Sequence, residues 1–299
     1  MDAFLRKIKK IIPKSIFSTL QPLYHWLLAW VAAFRYGLPS RKLFVIGVTG
    51  TNGKSTVVAL LSAVLQEAGV PTASASSLRF QIRDREERNM LKMTMPGRFR
   101  LQRFLRDAVR AGCTHAVIEV TSEGIKQYRH LGTTFAMAIL TNVTPEHIES
   151  HGTFEKYRDT KAKLFYRTPI HVLNADDPNK DFFGLIPAKL TRMYSRAEVS
   201  SDIAPQFIGD FNKENIAAVI AAARILNISD EVIARALKKI EGVPGRLEFV
   251  AREPFSVVVD YAHTPDALTK VYETLKPRTQ QLICVLGSCG GGRDVWKRP

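Results

Sequence analysis

Leu43-Phe-Val-Ile-Gly-Val-Thr-Gly-Thr-Asn-Gly-Lys-Ser55 passes from an apolar run into three spaced glycines and ends on a basic and a hydroxyl side chain. A helical pattern follows over residues 55–68. A strand feeding a glycine-rich turn feeding a helix aims several backbone N–H groups at one point, and the helix dipole adds positive potential there. Glycine lets the backbone approach phosphate oxygens, Lys54 can reach β/γ-phosphates, and the Ser55 hydroxyl suits Mg²⁺. Val48 stands where the strict G-x-x-x-x-G-K-[ST] pattern has its first glycine. The plainer reading is a strand-to-helix turn that binds nothing. The Lys-Ser pair after the last glycine and the strand before it favour a phosphate loop.

Outward from this stretch the chain alternates between two periods. Strand-like runs fall at 116–120, 135–140, 170–173, 255–261 and 281–286. Helical patterns fall at 99–111, 154–165, 212–226, 230–240 and 265–275, and a basic arm without strong period covers 83–92. Alternating βα units predict an α/β fold with a mostly parallel sheet flanked by helices, and ligands at the carboxyl ends of the strands. The strand at 281–286 and the glycine-rich run after it read as the opening of a further βα unit that the chain does not complete.

The formal charge of +15 over 299 residues suits an anionic partner such as a nucleotide, a sugar phosphate or an anionic membrane surface. Nucleic acid is set aside, because no recognised nucleic-acid motif accompanies the charge. Cys113, Cys284 and Cys289 have neither disulfide-framework nor zinc-pair spacing, which points to a reducing cytoplasm. Arg6, Lys7, Lys9, Lys10 and Lys14 precede the apolar, aromatic run at 23–34, which is short for a bilayer span. It reads as an interfacial anchor on anionic membranes or as a helix docked on the protein, with a cleaved secretory signal as the weaker alternative.

Polar residues collect after the strands: Glu119 with Val-Thr-Ser122, then Thr141-Asn142 with Pro145-Glu-His147. Hard oxygen ligands beside nucleotide phosphates suit Mg²⁺, and a histidine can join them. Taken singly, Glu119 could be a surface carboxylate and His147 a packing residue.

These residues, in this order, resemble the Mur ligases, the ATP-dependent amide-forming enzymes of peptidoglycan synthesis. Val48-Thr-Gly-Thr-Asn-Gly-Lys-Ser55 looks like their ATP-binding signature, and Glu119-Val-Thr-Ser122 is similar to their Glu-Val-Ser-Ser. Lys161-Ala-Lys-Leu-Phe165, Gly209-Asp-Phe-Asn-Lys-Glu-Asn215 and Gly242-Val-Pro-Gly-Arg246 follow. Asp260-Tyr-Ala-His-Thr-Pro-Asp-Ala267 resembles the MurE branch, which acts on UDP-N-acetylmuramoyl-dipeptide. The resemblance implies that Gly50, Thr51, Asn52, Gly53, Lys54, Ser55 and Thr56 hold ATP phosphates. It implies Mg²⁺ on Ser55, Glu119, His147 and a carbamylated Lys161. It gives adenine, phosphate and ribose contacts to Asn215, Arg246 and Asp260, and acceptor contacts to Thr94, Ser122 and Arg129. Lys54, Lys161, His147 and Glu119 would carry catalysis.

The resemblance divides the chain into a basic-aromatic extension at 1–40, a central ATP-binding domain at 41–277 and the start of a closing domain at 278–299. The implied activity is a carboxylate–amine ligase working through an acyl phosphate in cell-wall synthesis. Its partners would be a UDP-muramoyl-peptide-like acceptor and an amino acid. A folylpolyglutamate synthase-like ligase is the second reading, and a membrane-associated nucleotide-binding module without ligase activity the third. Three departures stand out: Thr94-Met95-Pro96 for Thr-Thr-Pro, Glu123 in place of a histidine, and Gly291-Gly292-Arg293-Asp294 for Gly-Asp-Arg-Asp.

Overall fold

A computed structural model of the chain describes residues 14–91, 93–146, 148–200 and 202–287, with side chains from residue 20 onward. Eight strands form one sheet: β1 (Phe44–Thr49), β2 (Thr72–Ala75), β3 (Arg79–Ile82), β4 (Arg85–Arg88), β5 (His115–Glu119), β6 (Met137–Leu140), β7 (Ile170–Asn174) and β8 (Leu190–Tyr194). Their order is β4-β3-β2-β5-β1-β6-β7-β8. Six of them, β2, β5, β1, β6, β7 and β8, run parallel, as the alternating pattern predicts.

Strand β1 lies between β5 and β6 and is buried along nearly its whole length. Side-chain alternation sends its residues to two apolar cores. Ile46, Val48, Val117, Met137 and Ile139 join the core on one face of the sheet, while Val45, Ala116, Ile118, Ala138 and Leu140 join the other.

The helices number α1 (Lys14–Arg35), α2 (Lys54–Glu67), α3 (Arg98–Arg110), α4 (Ser122–Lys126), α5 (Ile148–His151), α6 (Phe154–Phe165), α7 (Lys180–Gly184), α8 (Asp210–Ile225), α9 (Asp230–Lys239) and α10 (Pro265–Leu275). On the first face α2 packs against α8 and α9, where Val57, Leu60, Leu61 and Val64 meet the alanine-rich side of α8. Each fully buried leucine or valine there contributes about 1.5–3 kcal/mol. On the second face α3 and α6 supply Leu101, Leu105, Tyr157 and Phe165. A two-stranded antiparallel ribbon of β9 (Glu248–Ala251) and β10 (Val257–Val259) stands apart from the main sheet.

Two expectations need correction. Much of the segment read as an irregular basic arm is the hairpin β3–β4, which pairs antiparallel onto β2. All four side chains of β4 are exposed, so it is an edge strand held by its backbone hydrogen bonds and leaves no apolar period to read. The strand expected at 281–286 does not form. Among the described residues it has no pairing neighbour, and Leu282, Ile283, Val285 and Leu286 are exposed. A strand is stable only in a ladder.

The apolar leader, by contrast, is the helix α1, docked through its small side chains. Ala29, Ala32 and Ala33 are fully buried, and α1 lies along α3. Gly132 makes the seat: it has φ +75, and a Cβ there would stand 2.6 Å from the Ala33 Cβ. No described helix is long and apolar enough to cross a membrane.

His130, beside that seat, is buried and its Nδ1 has no partner. Burial, then the charges of Arg167 and Lys163, push its pKa down from 6.5 to about 4. The folded state therefore binds fewer protons than the unfolded one between those values, so stability is full above pH 6.5 and falls as pH drops toward 4. The predicted loss is about 3 kcal/mol. Urea titrations of the wild type and of His130→Asn across pH 4–7.5 should show a shallower acid slope in the variant.

Candidate active site

Parallel pairing aligns the carboxyl ends of the three central strands. Val48 is opposite Glu119 and Thr49 is opposite Leu140, so the turn after β1 starts between Glu119 on one side and Thr141 on the other. The turn then fits by close approach. A Cβ on Gly50 would lie 1.9 Å from the Thr141 Oγ1, and one on Gly53, at φ +83, would lie 2.2 Å from the Asn215 Oδ1. Thr51 N–H donates to the Asn142 carbonyl at 2.8 Å and Asn52 N–H to the Asn142 Oδ1 at 2.9 Å. Thr141 Oγ1 donates to the Asn52 carbonyl at 2.6 Å. Gly53 caps α2, whose first-turn N–H groups therefore open at the loop.

Two lysines meet at one carbonyl. The Gly50 oxygen accepts from Lys54 Nζ at 3.1 Å and from Lys161 Nζ at 2.7 Å, and Lys54 also donates to the Thr51 carbonyl at 2.6 Å. Lys161, on α6, is 1% exposed. Burial, and next the charge of Lys54, hold its pKa well below the usual lysine range, with Glu146 and Glu119 opposing. Its Nζ also lies 4.5 Å from the centre of the Tyr157 ring.

The carboxylate of Glu119 is buried and faces the start of α2. Its Oε2 accepts from Ser55 Oγ at 2.9 Å and from the backbone N–H of Ser77 at 2.8 Å. Ser55 also exchanges a 2.7 Å hydrogen bond with the Ser77 hydroxyl and accepts from Arg246 at 3.3 Å. Among the described residues no group of three or more His, Cys, Asp or Glu side chains gathers as a metal cage. Ser55 and Glu119 still fit a Mg²⁺ site of the kind that takes one or two protein oxygens and completes its shell with phosphate and water.

Around the loop lies a cavity of about 480 Å³. Thr51, Asn52, Gly53, Lys54, Ser55, Thr56, Glu119, Asn215, Arg246 and Asp260 line it, and so do Thr94, Ser122 and Arg129. Gly50 and Lys161, hydrogen-bonded to each other, are not among its lining residues. His147 lies outside the described residues, as do the leader's basic residues through Arg6–Lys10 and the run at 291–294.

The distal groups are held by their neighbours. Asp260 accepts from the Leu247 N–H at 2.7 Å and the Ala262 N–H at 2.6 Å, which fixes the turn carrying Arg246. The Arg246 guanidinium lies 4.7 Å from the centre of the Tyr261 ring. Arg129 donates to the Met95 carbonyl at 2.6 Å and grips the Gln127 Oε1 at 2.7 and 3.1 Å. Met95 is fully buried and packs toward Gly124, which gives the departure at this position a packing role. Glu123 accepts from Ser150 and faces His151 Nε2 at 3.5 Å.

Sequence reading did not single out Ser77 or Tyr157. Ser77 orients Glu119 from 42 residues away, and Tyr157 exchanges a 3.1 Å hydrogen bond with Thr51 Oγ1. For Tyr157, its place one helical turn before Lys161 was the available signal.

The family described as "Mur ligase middle domain" matches residues 48–195, the stretch that holds the loop, Glu119 and Lys161. A second description, "Mur ligase, glutamate ligase domain", matches 245–299. This chain belongs to the Mur ligase family. It is 36% identical to the UDP-N-acetylmuramyl-tripeptide synthetase of Roseiflexus sp. (strain RS-1), over 91% of this chain and 62% of that protein. It thus spans about three fifths of the length of the curated relatives it matches. A solved UDP-N-acetylmuramoyl-L-alanyl-D-glutamate–2,6-diaminopimelate ligase superposes with a TM-score of 0.66 at 31% identity, over 86% of this chain and 58% of that one. The folylpolyglutamate synthase of Mycobacterium tuberculosis, complexed with ADP and AMPPCP, superposes with a TM-score of 0.68 at 18% identity, over 83% of this chain and 70% of that one. At that identity the likeness is one of fold.

The Mur ligase loop is tight enough to test by volume. Gly50→Ala must displace Thr141, which is itself bonded to Thr49 and Asn52. The expected cost is at least about 2 kcal/mol in urea denaturation.

Proposed function

We propose that this Mur ligase chain serves ATP-dependent amide-bond formation between a carboxylate of a UDP-muramoyl-peptide-like acceptor and the amine of an amino acid, in the cytoplasm, during cell-wall synthesis. Residues 41–277 would be its ATP-binding unit and 278–299 the opening of a closing domain. The same reading includes peripheral contact between the N-terminal segment and an anionic membrane.

The supporting observation is the convergence in one cavity of the glycine-rich loop, the Ser55–Glu119 pair and Thr94, Ser122 and Arg129. The names of the curated relatives agree with it. A carboxylate oxygen of the acceptor would attack the γ-phosphorus of ATP, and the bond from that phosphorus to the ADP oxygen would break. The amine nitrogen would then attack the acyl carbon, phosphate would leave and the nitrogen would lose its proton. Lys54 and the N–H groups at the start of α2 are placed to balance charge on the phosphoryl group. Asn215, against Gly53, and Arg246, over Tyr261, would hold the nucleoside end, with Asp260 fixing Arg246 and the ribose. Arg129 would hold an acceptor carboxylate by charge.

Mg²⁺ would bind Ser55 and Glu119, with His147 as a further ligand, and would supply Lewis-acid neutralisation of phosphate oxygens. Lys161 would be carbamylated. Held neutral by burial, its nitrogen can add to the carbon of CO₂ and release one proton, leaving an N-carboxylate. That exchange puts an anion suited to a cation-rich site where a protonated lysine beside Lys54 would be costly to bury.

Two substitutions test the reading on the full chain. Lys54→Ala should weaken Mg·ATP binding at least ten-fold in calorimetry, and unchanged affinity would remove the phosphate-loop assignment. Lys161→Ala should abolish most ADP release in the presence of acceptor and amino acid, and short carboxylic acids should restore part of it. Intact-mass measurement under bicarbonate should show the 44 Da adduct in the wild type and not in the variant.

A further inference from the structure

The outer side of α1 is left unused by the cavity and by the cores. At about 100° per residue, Leu20, Leu23, Trp26, Leu27, Val31 and Phe34 fall within one arc of about 140°. All six are exposed, Leu23 by 62% and Phe34 by 65%, while Ala29, Ala32 and Ala33 on the other side are buried. The helix thus docks by its small residues and presents its large ones. A contiguous apolar surface of this kind marks an interaction site.

The charge around it is predominantly positive, with Asp107 of α3 ion-paired to Arg103 and Arg106. Between Asp2 and Glu67 there is no acidic residue, and Arg6, Lys7, Lys9, Lys10, Lys14, Arg35, Arg41 and Lys42 lie in the first 42 positions. The helix packed alongside, α3, exposes Arg100, Arg103 and Arg110. Arg106 of α3 lies over the Tyr36 ring at 5.0 Å, just past the end of α1. A second copy would bring the same positive field to the same face and be repelled. An apolar, tryptophan-bearing arc flanked by cations fits a surface with an apolar interior and anionic headgroups.

We propose that the outer arc of α1 inserts into the interface of an anionic lipid bilayer, with the arginines of α3 at headgroup level. This rests on the peripheral-contact reading above and adds the face that makes the contact. Its seat lies close to the site, because Gly132, on which Ala33 rests, is three residues past Arg129 in the same turn. His25 of α1 lies near enough to Arg98 and Arg129 that their charges, after burial, help push its pKa down to about 4.

The test uses the full chain with vesicles of phosphatidylcholine alone or mixed with phosphatidylglycerol. The mixed vesicles should sediment the protein, blue-shift its tryptophan emission and allow quenching by brominated acyl chains. Affinity should fall at least ten-fold on raising salt from 50 to 500 mM, since exposed charges are screened. The double variant Leu23→Glu/Leu27→Glu, whose sites are exposed, should keep its circular dichroism and Mg·ATP affinity and lose at least ten-fold in vesicle affinity. Vesicle binding unchanged in that variant would overturn the proposed face while leaving a contact through the basic leader. Absence of wild-type binding to mixed vesicles would overturn both. A wild-type dimer that the double variant makes monomeric, without vesicle binding, would give the arc to a second copy and likewise overturn the proposal.

Discussion

The register of β1 between β5 and β6 is the constraint on which the cavity depends. It brings three strand ends level, so that a carboxylate from one and a threonine from another flank a turn from the third. At two positions the turn has no room for a side chain, which is why Gly50 and Gly53 stand where Thr141 and Asn215 come closest. The two apolar cores hold this register from both faces, because a one-residue slip of β1 would exchange Ile46 and Val48 for Val45 and Gly47. Folding stability and site geometry are thus the same interaction seen at two ends of one strand.

Polar order in the cavity follows from that frame in layers. Ser77 and Ser55 fix Glu119, Asp260 fixes the turn of Arg246, and Gln127 with Met95 fixes Arg129. Glu119, Asp260 and Arg129 are held mainly by backbone N–H groups, a carbonyl, a hydroxyl and an amide, whereas Lys270 of the same cavity pairs with the Asp266 carboxylate at 3.1 Å. The neutral groups hold a charge in place without adding another of opposite sign that would compete with a ligand.

Much of this was legible in the sequence because the signals were local. The strand–glycine turn–helix over residues 43–68, the parallel sheet and the helix 154–165 each rest on residues within one or two turns of one another, and the helix at Phe154–Phe165 has the expected bounds. The hairpin β3–β4 was not legible, since Arg85-Glu-Glu-Arg88 pairs through its backbone and shows no apolar side. The expected strand at 281–286 shows the converse: an apolar run is insufficient when no neighbour completes the ladder. The roles of Ser77 and of Gly50 as a lysine acceptor were hidden for a third reason. Their partners lie 42 and 111 residues away, and only the sheet order brings them together.

The shared carbonyl of Gly50 has a consequence for proton bookkeeping. Lys54 and Lys161 share one acceptor, and the charge of the first adds to burial, the larger cause, in depressing the basicity of the second. A polyanion that neutralises Lys54 removes the smaller part of that depression, so a bare Lys161 would gain proton affinity as the ligand arrives. A carbamate at the same nitrogen has no such proton to take. The heat of ligand binding measured in buffers of different ionisation enthalpy would therefore depend on the chemical state of a side chain that the ligand does not touch.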